Sequence, residues 1–328
     1  MSWLVTGGAG YIGSHVVRAL GDVDIPAVVI DNLDTGHRRF VRDDVPFVEG
    51  DILDTDLLER TMREHDVHGV IHLAGFKAAG VSVDIPLVAY TQNVTGTLSV
   101  LEAMQRAEVP SMVFSSSAAC YGTTDVDLVT ESLPPAPESP YGETKLIGEW
   151  LMRAQAVAAG LRHTSLRYFN VVGSGAEDLF DDSRHNLLPL IYNALLEGRT
   201  PKIYGNDYPT PDGTCVRDYV HVSDLAAAHA VAARHLENGE PLEPVYNLGS
   251  GSGSSVKEIM DTVREVSGIA FEPEIIPRRP GDPPRIVADG KLAARDLDWK
   301  MRHDLHDMVE SGWKGRLFEE SLHKSSQA

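Results

Sequence analysis

The twelve residues Leu4-Val5-Thr6-Gly7-Gly8-Ala9-Gly10-Tyr11-Ile12-Gly13-Ser14-His15 constrain this chain more than any other stretch. An apolar strand runs into closely spaced glycines and then into the start of a helix. Gly8, Gly10 and Gly13 fit G-x-G-x-x-G, and Gly7, Gly10 and Gly13 also fit T-G-x-x-G-x-x-G. Such glycines permit a sharp turn, let backbone approach a pyrophosphate, and let a helix pack close to a strand. The helix from about Tyr11 to Leu20 would aim its N–H groups and positive dipole end at the phosphates, so no lysine is needed in the loop. Alone, the pattern also describes a plain turn. A second apolar run, Ala27-Val28-Val29-Ile30, ends on Asp31, near the spacing of an acid that accepts from ribose hydroxyls. A carboxylate there would repel a 2′-phosphate, so the expected cofactor is NAD rather than NADP. The plainer role for Asp31 is a helix cap or solvated turn.

The 328 residues suffice for one large or two modest domains, and 42% apolar with 23% charged content is that of an ordinary globular protein. No apolar run has the length of a membrane span. The first strand begins within a few residues of Met1 and leaves no room for a signal peptide, so a cytoplasmic location is expected. Cys120 and Cys215 are too few for a disulfide framework, and the 13 histidines make no pair with ligand spacing, so no metal is assigned. A net charge of −19 argues against nucleic acid or an anionic membrane as partner. An anionic ligand must then meet local positive charge from helix ends and a few arginines and lysines.

From Met1 to about Asn170 short apolar strands alternate with amphipathic helices, the pattern of a doubly wound parallel α/β sheet of the Rossmann type. Strands are expected at Trp3–Thr6, Ala27–Asp31, Pro46–Glu49, Gly69–Leu73, Ser111–Ser115 and Thr164–Tyr168, with helices at Asp54–His65, Val88–Arg106 and Ser139–Ala159 among those between them. Asp51, just after the third strand, could bond an adenine amino group with Ile52 on the ring, or cap the next helix. Beyond Asn170 the alternation breaks. Residues 1–170 are therefore read as the NAD-binding domain and 171–328 mainly as a smaller C-terminal substrate-binding lobe. The two interleave, since elements near 206–250 return to the sheet, and the polar tail after about Gly315 is expected to be disordered.

The strongest chemical signal is Ser139-Pro140-Tyr141-Gly142-Glu143-Thr144-Lys145. Ser139 as N-cap and Pro140 at the first position start a helix, and i, i+4 spacing puts Tyr141 and Lys145 on one face. An ammonium and a nicotinamide cation close by would pull the phenol pKa down from about 10 toward the working pH, making Tyr141 a general base. Lys145 can also hold cofactor ribose hydroxyls. Ser117, ending Met112-Val113-Phe114-Ser115-Ser116-Ser117, would reach the same space.

Here the chain resembles the extended short-chain dehydrogenase/reductase family, and within it the branch that epimerises UDP-hexoses at C4. The resemblance runs from Leu4 to about Trp313. Besides the glycine, serine and tyrosine motifs it includes Arg167-Tyr168-Phe169-Asn170, the particular run Pro209-Thr210-Pro211-Asp212-Gly213-Thr214-Cys215-Val216-Arg217-Asp218-Tyr219, and Arg278-Arg279-Pro280-Gly281-Asp282. It implies an NAD-dependent isomerase in which Ser117, Tyr141 and Lys145 are catalytic. Cofactor contacts carry over to Gly7, Gly10, Tyr11, Ile12, Asp31, Asn32, Asp51, Ile52, Ala74, Lys77 and Asn93, with Tyr168 near the nicotinamide and Gly13 in the loop. Substrate contacts carry over to Asn170 and Asn186, with Arg217 and Arg279 on the diphosphate and Asp282 on the uridine ribose. The types fit, since a forked guanidinium suits a diphosphate and a carboxylate suits a diol. A homodimer through helices 88–106 and 139–159 is also implied.

Three positions depart from the family pattern. Val81 stands where glutamate is frequent, Arg184-His185 replace Pro-Asn before Asn186, and Ile286 replaces a bulky tyrosine, which would admit a 2-acetamido sugar. A dehydratase or decarboxylase is the rival enzyme, disfavoured by Ala118-Ala119 where a dehydratase would carry an Asp-Glu pair. A non-catalytic NAD-sensing regulator is the rival of another class, and such proteins tend to lose the tyrosine or lysine kept here.

Overall fold

A computed structural model describes residues 1–279 and 282–325. Its centre is a sheet of seven parallel strands, β1 (Ser2–Thr6), β2 (Ala27–Asp31), β3 (Phe47–Glu49), β4 (Val67–His72), β5 (Ser111–Ser115), β6 (Arg162–Tyr168) and β11 (Val245–Leu248). Their spatial order is β11-β6-β5-β4-β1-β2-β3. Connections run one way from β1 through β2 to β3 and the other way from β4 onward. The switch point between β1 and β4 is where such sheets bind ligands, beyond the strand carboxyl ends.

The strands are apolar along both faces because each face is covered. Trp3, Val5, Val29, Ile71 and Val113 share a core with α1 (Tyr11–Asp22) and α8 (Val222–Glu237). Their neighbours Leu4, Val28, Ile30, Val70, Met112 and Phe114 point the other way, against α2 (Thr55–Glu64), α5 (Gly96–Arg106) and α6 (Pro140–Ala159). Period-two alternation along each strand thus builds two cores from one sheet. The run expected as one helix over Val88–Arg106 begins inside α4 (Pro86–Tyr90), passes through a π turn at Thr91–Thr95 and continues as α5, while the short α3 (Ala79–Ser82) precedes it.

The remaining elements lie against the carboxyl end of the sheet. β7 (Asn170–Val172) pairs with β10 (Tyr219–His221), β8 (Lys202–Tyr204) pairs with β13 (Glu274–Ile276), and β9 (Val216–Arg217) lies between β12 (Ser254–Ser255) and β14 (Arg285–Ile286). The helices α7 (Leu187–Leu196), α9 (Val256–Ser267) and α11 (Leu305–Ser325) enclose a third core with Ile191, Tyr192, Ile259, Met260, Val309 and Trp313, while α10 (Lys291–Asp296) packs on β11. The tail expected to be disordered after Gly315 is helical to Ser325, and positions 326–328 lie outside the described residues. Composition misleads there because only one stripe of α11 is apolar. Phe318 and Leu322 pack on Phe40, Leu179 and Phe180, and Arg316 Nε donates to Asn193 Oδ1 at 2.6 Å.

Two glycines of α1 give opposite expectations. A Cβ on Gly13 would lie 2.1 Å from the Gly7 carbonyl oxygen and 2.8 Å from Gly8 Cα, both backbone atoms that cannot swing aside. Gly21, on the exposed side of the same helix, meets nothing within 4 Å. Urea unfolding should show Gly13→Ala destabilised by about 1–3 kcal/mol, while Gly21→Ala gains roughly 0.5 kcal/mol from lost unfolded-state freedom. Equal effects at the two positions would contradict the contact.

Candidate active site

One cavity of about 930 Å³ opens at the switch point, near the upper end of the roughly 300–1,000 Å³ typical of ligand clefts. The glycine loop supplies Gly7, Gly10, Tyr11, Ile12 and Gly13 to its wall. Gly7 has φ of +73°, and its Cβ would lie 2.8 Å from the Ala74 nitrogen, so the end of β1 meets the end of β4 only without a side chain. The N-cap of α1 is Gly10, which offers no side chain to cap the first-turn N–H groups. Those donors and the helix dipole face the cavity and suit a pyrophosphate.

The Asp31 side chain accepts from the Leu33 N–H at 2.9 Å and the Ala9 N–H at 3.0 Å, one at each oxygen. Burial raises its carboxyl pKa, and the two backbone donors oppose that rise. Each oxygen keeps a lone pair, which is what a ribose diol requires. The donor set therefore fits NAD: uncapped helix N–H groups for phosphate, a carboxylate for the ribose, and Ile52 and Ala74 as apolar cavity wall.

Two expected cofactor residues do not line the cavity. Asp51 accepts from Asn32 Nδ2 at 3.0 Å and from the Leu53 N–H at 2.9 Å, which ties the loops after β2 and β3 together. The cap of α2 is Asp54, whose Oδ1 accepts from the Leu57 N–H at 3.0 Å. Asn93, 4% exposed, sits behind the wall in the π turn. Its Oδ1 accepts from the Phe76 N–H at 2.7 Å, while Nδ2 donates to the Phe76 carbonyl at 3.1 Å and to Thr144 Oγ1 at 2.8 Å. The Asn93 amide therefore aligns the Ala74–Ala78 loop, which does line the cavity, with the first turns of α6.

Tyr141, Lys145, Ser117 and Tyr168 all reach the cavity. The first turn of α6 is held by two serines. Ser139 Oγ accepts from the Gly142 N–H at 3.2 Å, and Ser82 Oγ, from α3, accepts from the Tyr141 N–H at 3.1 Å. Ser82 escaped sequence reasoning because its partner lies 59 residues away. Lys145, 6% exposed, donates from Nζ to the Ser115 carbonyl at 2.9 Å and lies 5.8 Å from the centre of the Tyr141 ring.

Burial sets both ionisations. It lowers Lys145 to about 8 and pushes the Tyr141 phenol well above its usual range, a rise that a hydrogen bond with Ser117 opposes. The fall in Tyr141 pKa expected from the sequence is absent in the protein alone. Loss of water around the phenol dominates and the neighbouring Tyr168 adds to the rise, while the nicotinamide charge of that argument belongs to the bound cofactor. Behind this surface Glu149 and Arg167 form a buried bidentate pair at 2.8 and 2.5 Å, and Ser116 Oγ donates to Glu149 Oε1 at 2.5 Å. That pair fixes the backbone directly before Ser117 and was not foreseen.

The far side of the cavity carries Asn170, Asn186, Arg217, Arg279, Asp282 and Ile286. Asn170 Nδ2 donates to the Asp218 carbonyl at 3.0 Å, and Asn186 Nδ2 donates to Asp181 Oδ2 at 2.6 Å. Arg217 donates from Nη1 to the Val216 and Pro283 carbonyls at 2.9 and 2.8 Å, and from Nη2 to Asp282 Oδ1 at 3.0 Å. The Arg279 guanidinium stacks 3.9 Å from the centre of the Tyr204 ring. Pro280 and Gly281, from the same motif, lie outside the described residues. Asp218, fully buried, accepts from the Ser250 N–H at 2.6 Å and the Ala288 N–H at 3.0 Å, anchoring the strands on either side of Arg217. Of the three departures, His185 and Ile286 line the cavity, while Val81 and Arg184 do not.

Among the described residues no helix is long and apolar enough to cross a membrane. Residues 3–249 match the NAD dependent epimerase/dehydratase family. The UDP-glucose 4-epimerase of Azospirillum brasilense is 46% identical over 310 residues, covering 93% of this chain and 89% of its own length. A crystal structure of a UDP-glucose 4-epimerase superposes with a TM-score of 0.94 at 41% identity, covering 98% of both chains. Another, from Stenotrophomonas maltophila, with bound NAD and formylated UDP-arabinopyranose, superposes with a TM-score of 0.92 at 39% identity, covering 98% of this chain and 99% of its own. With a glycine loop, an acid at the end of β2 and a Tyr-Lys pair on one cavity wall, the chain belongs to the NAD dependent epimerase/dehydratase family, among its UDP-glucose 4-epimerases.

Proposed function

We propose that the protein interconverts UDP-glucose and UDP-galactose, with Tyr141 as general base, Ser117 as hydrogen-bond partner of the reacting oxygen, and Lys145 as the charge that favours tyrosinate. The carrying observation is that Tyr141, Lys145 and Ser117 line the same cavity as Asp31 at the cofactor side and Arg217 and Arg279 at the other. NAD, held by the glycine loop, Asp31 and Lys145, would supply a hydride acceptor and donor at the sugar C4. Tyr141 takes the 4-hydroxyl proton and gives it back, and Lys145 holds cofactor ribose hydroxyls. Between the two transfers the 4-keto sugar turns about its link to the nucleotide. Arg217, with three of its N–H groups engaged within the described residues, has donors left for a diphosphate, and Arg279 supplies a second fork. Binding energy away from C4 thus holds the substrate while the hexose rotates. Ile286 leaves room for a 2-acetamido group, so UDP-N-acetylhexoses extend the proposed substrates.

The same reading includes a homodimer. Leu87, Val88, Leu98, Trp150 and Val157 are 80, 47, 47, 51 and 87% exposed on α4, α5 and α6. Trp150 and Val157, seven residues apart, share one helix face. Bulky apolar side chains gathered on adjacent helices are what a partner copy would cover. Light scattering on the purified protein should give a dimer mass, and Trp150→Glu with Val157→Glu should give a monomer. A monomeric wild type would remove this part of the reading.

Purified protein incubated with UDP-galactose and no added NAD should form UDP-glucose, whereas binding without turnover would favour the sensor. Tyr141→Phe should lower kcat by about 10²–10⁴-fold while retaining cofactor. Turnover at the wild-type rate would take Tyr141 out of the mechanism.

The pH behaviour follows from the burial shifts. In the NAD-free protein Tyr141 should show no tyrosinate absorbance through pH 10, since burial holds its pKa above the ordinary value. Loading with NAD brings a cation to the phenol and should shift that titration downward, in wild type but not in Tyr141→Phe. Identical difference spectra with and without NAD would refute the coupling.

A further inference from the structure

Residues 173–182 run from the end of β7 to the stretch 181–186 that lines the cavity, and they are fastened along one face of α1. Tyr11, His15 and Arg18 recur at i, i+4 and i+7 and meet the segment in order. The Tyr11 hydroxyl donates to the Gly173 carbonyl at 2.6 Å, the Gly175 N–H donates to His15 Nε2 at 2.8 Å, and Arg18 reaches both oxygens of Asp178 at 3.2 and 2.6 Å. Arg18 holds the Asp178 carboxyl below the usual carboxylate range. At Gly173, with φ of +85°, a Cβ would lie 2.6 Å from the His221 ring, so only glycine brings the segment beneath Tyr11.

The segment then crosses to the loop after β2. Phe180 meets Phe40 edge-on with ring centres 5.1 Å apart, and the Arg39 guanidinium lies 5.1 Å from the centre of the Phe180 ring. His37 Nε2 lies 2.8 Å from Asp182 Oδ2. Phe318 and Leu322 of α11 pack against the Phe40–Phe180 contact. Thr35 and Gly36, immediately before His37, line the cavity, as do Asp181 and Ser183 on either side of Asp182. The His37–Asp182 contact therefore joins two walls of one cavity on the side of Asp31.

The geometry points to a strap that retains the cofactor: Arg18, His37, Arg39 and Phe40 are positioning residues, none lining the cavity, that must let go of Asp178, Phe180 and Asp182 before a dinucleotide can leave. This rests on the NAD reading above and deepens it. Contacts that must open for the dinucleotide to pass slow its release, and loosening them quickens dissociation. One of them, Arg18 with Asp178, is a partly exposed ion pair, individually weak and screened by salt, so the strap is salt-sensitive.

The test uses the holoprotein as purified. Release of NAD after dilution is followed with a coupled dehydrogenase that captures free coenzyme, in wild type and in the double variant Asp178→Ala, Asp182→Ala. Neither residue lines the cavity, and both are exposed. Release should quicken roughly three- to tenfold in the variant. NaCl at roughly 0.5 M should quicken release from wild type and leave the variant unchanged. Wild-type release from the variant, or equal acceleration of both proteins by salt, overturns the strap and leaves the cofactor reading standing. A wild type that yields no NAD on denaturation overturns the cofactor reading, and the strap with it.

Discussion

The whole arrangement depends on how closely the start of α1 approaches the end of β1. A Cβ at Gly13 would lie 2.1 Å from the Gly7 carbonyl oxygen, so strand and helix meet backbone to backbone. That approach puts an uncapped helix N-terminus at the switch point of the sheet, where its N–H groups serve as an anion site. It also fixes the rotation of α1 about its axis. Tyr11, His15 and Arg18 consequently face residues 173–178, while Val16, Val17 and Leu20 enter the core shared with α8.

A chain of net charge −19 can hold an anionic ligand because short-range fields in a cleft exceed the screened field of distant surface carboxylates. Lys77, Lys145, Lys202, Arg217 and Arg279 all line the cavity. Three of the carboxylates beside them accept from local donors. Asp31 accepts from two backbone N–H groups, Asp181 from the Ser183 N–H and Asn186 Nδ2, and Asp282 from Arg217.

Burial is the second control. The Tyr141 phenol and the Lys145 ammonium are both pushed toward their neutral forms by loss of water. A bound oxidised nicotinamide would reverse this for the phenol by adding a positive charge in a poorly screened space. In the proposed mechanism the phenol would then become a usable base only with the cofactor in place. Ser82, Asn93, Thr144, Glu149 and Arg167 hold the geometry in which that charge acts.

The sequence by itself determined the sheet, most helix starts and several residues that line the cavity. Those signals are local: glycine spacing at Gly7 to Gly13, the Ser139-Pro140 cap, i, i+4 spacing of Tyr141 and Lys145, and apolar period two along the strands. The resemblance to a family added Asn170, Asn186, Arg217, Arg279 and Asp282, all of which reach the cavity. Tertiary structure alone decided the rest. It made Asn93 and Asp51 ties between loops, made a helix of the tail through Phe318 and Leu322, paired Arg217 with Asp282, and raised the Tyr141 pKa in the protein alone. Each of these depends on which groups distant in sequence come within a few ångströms and how much water they exclude, and neither quantity is written in the spacing of residues along a chain.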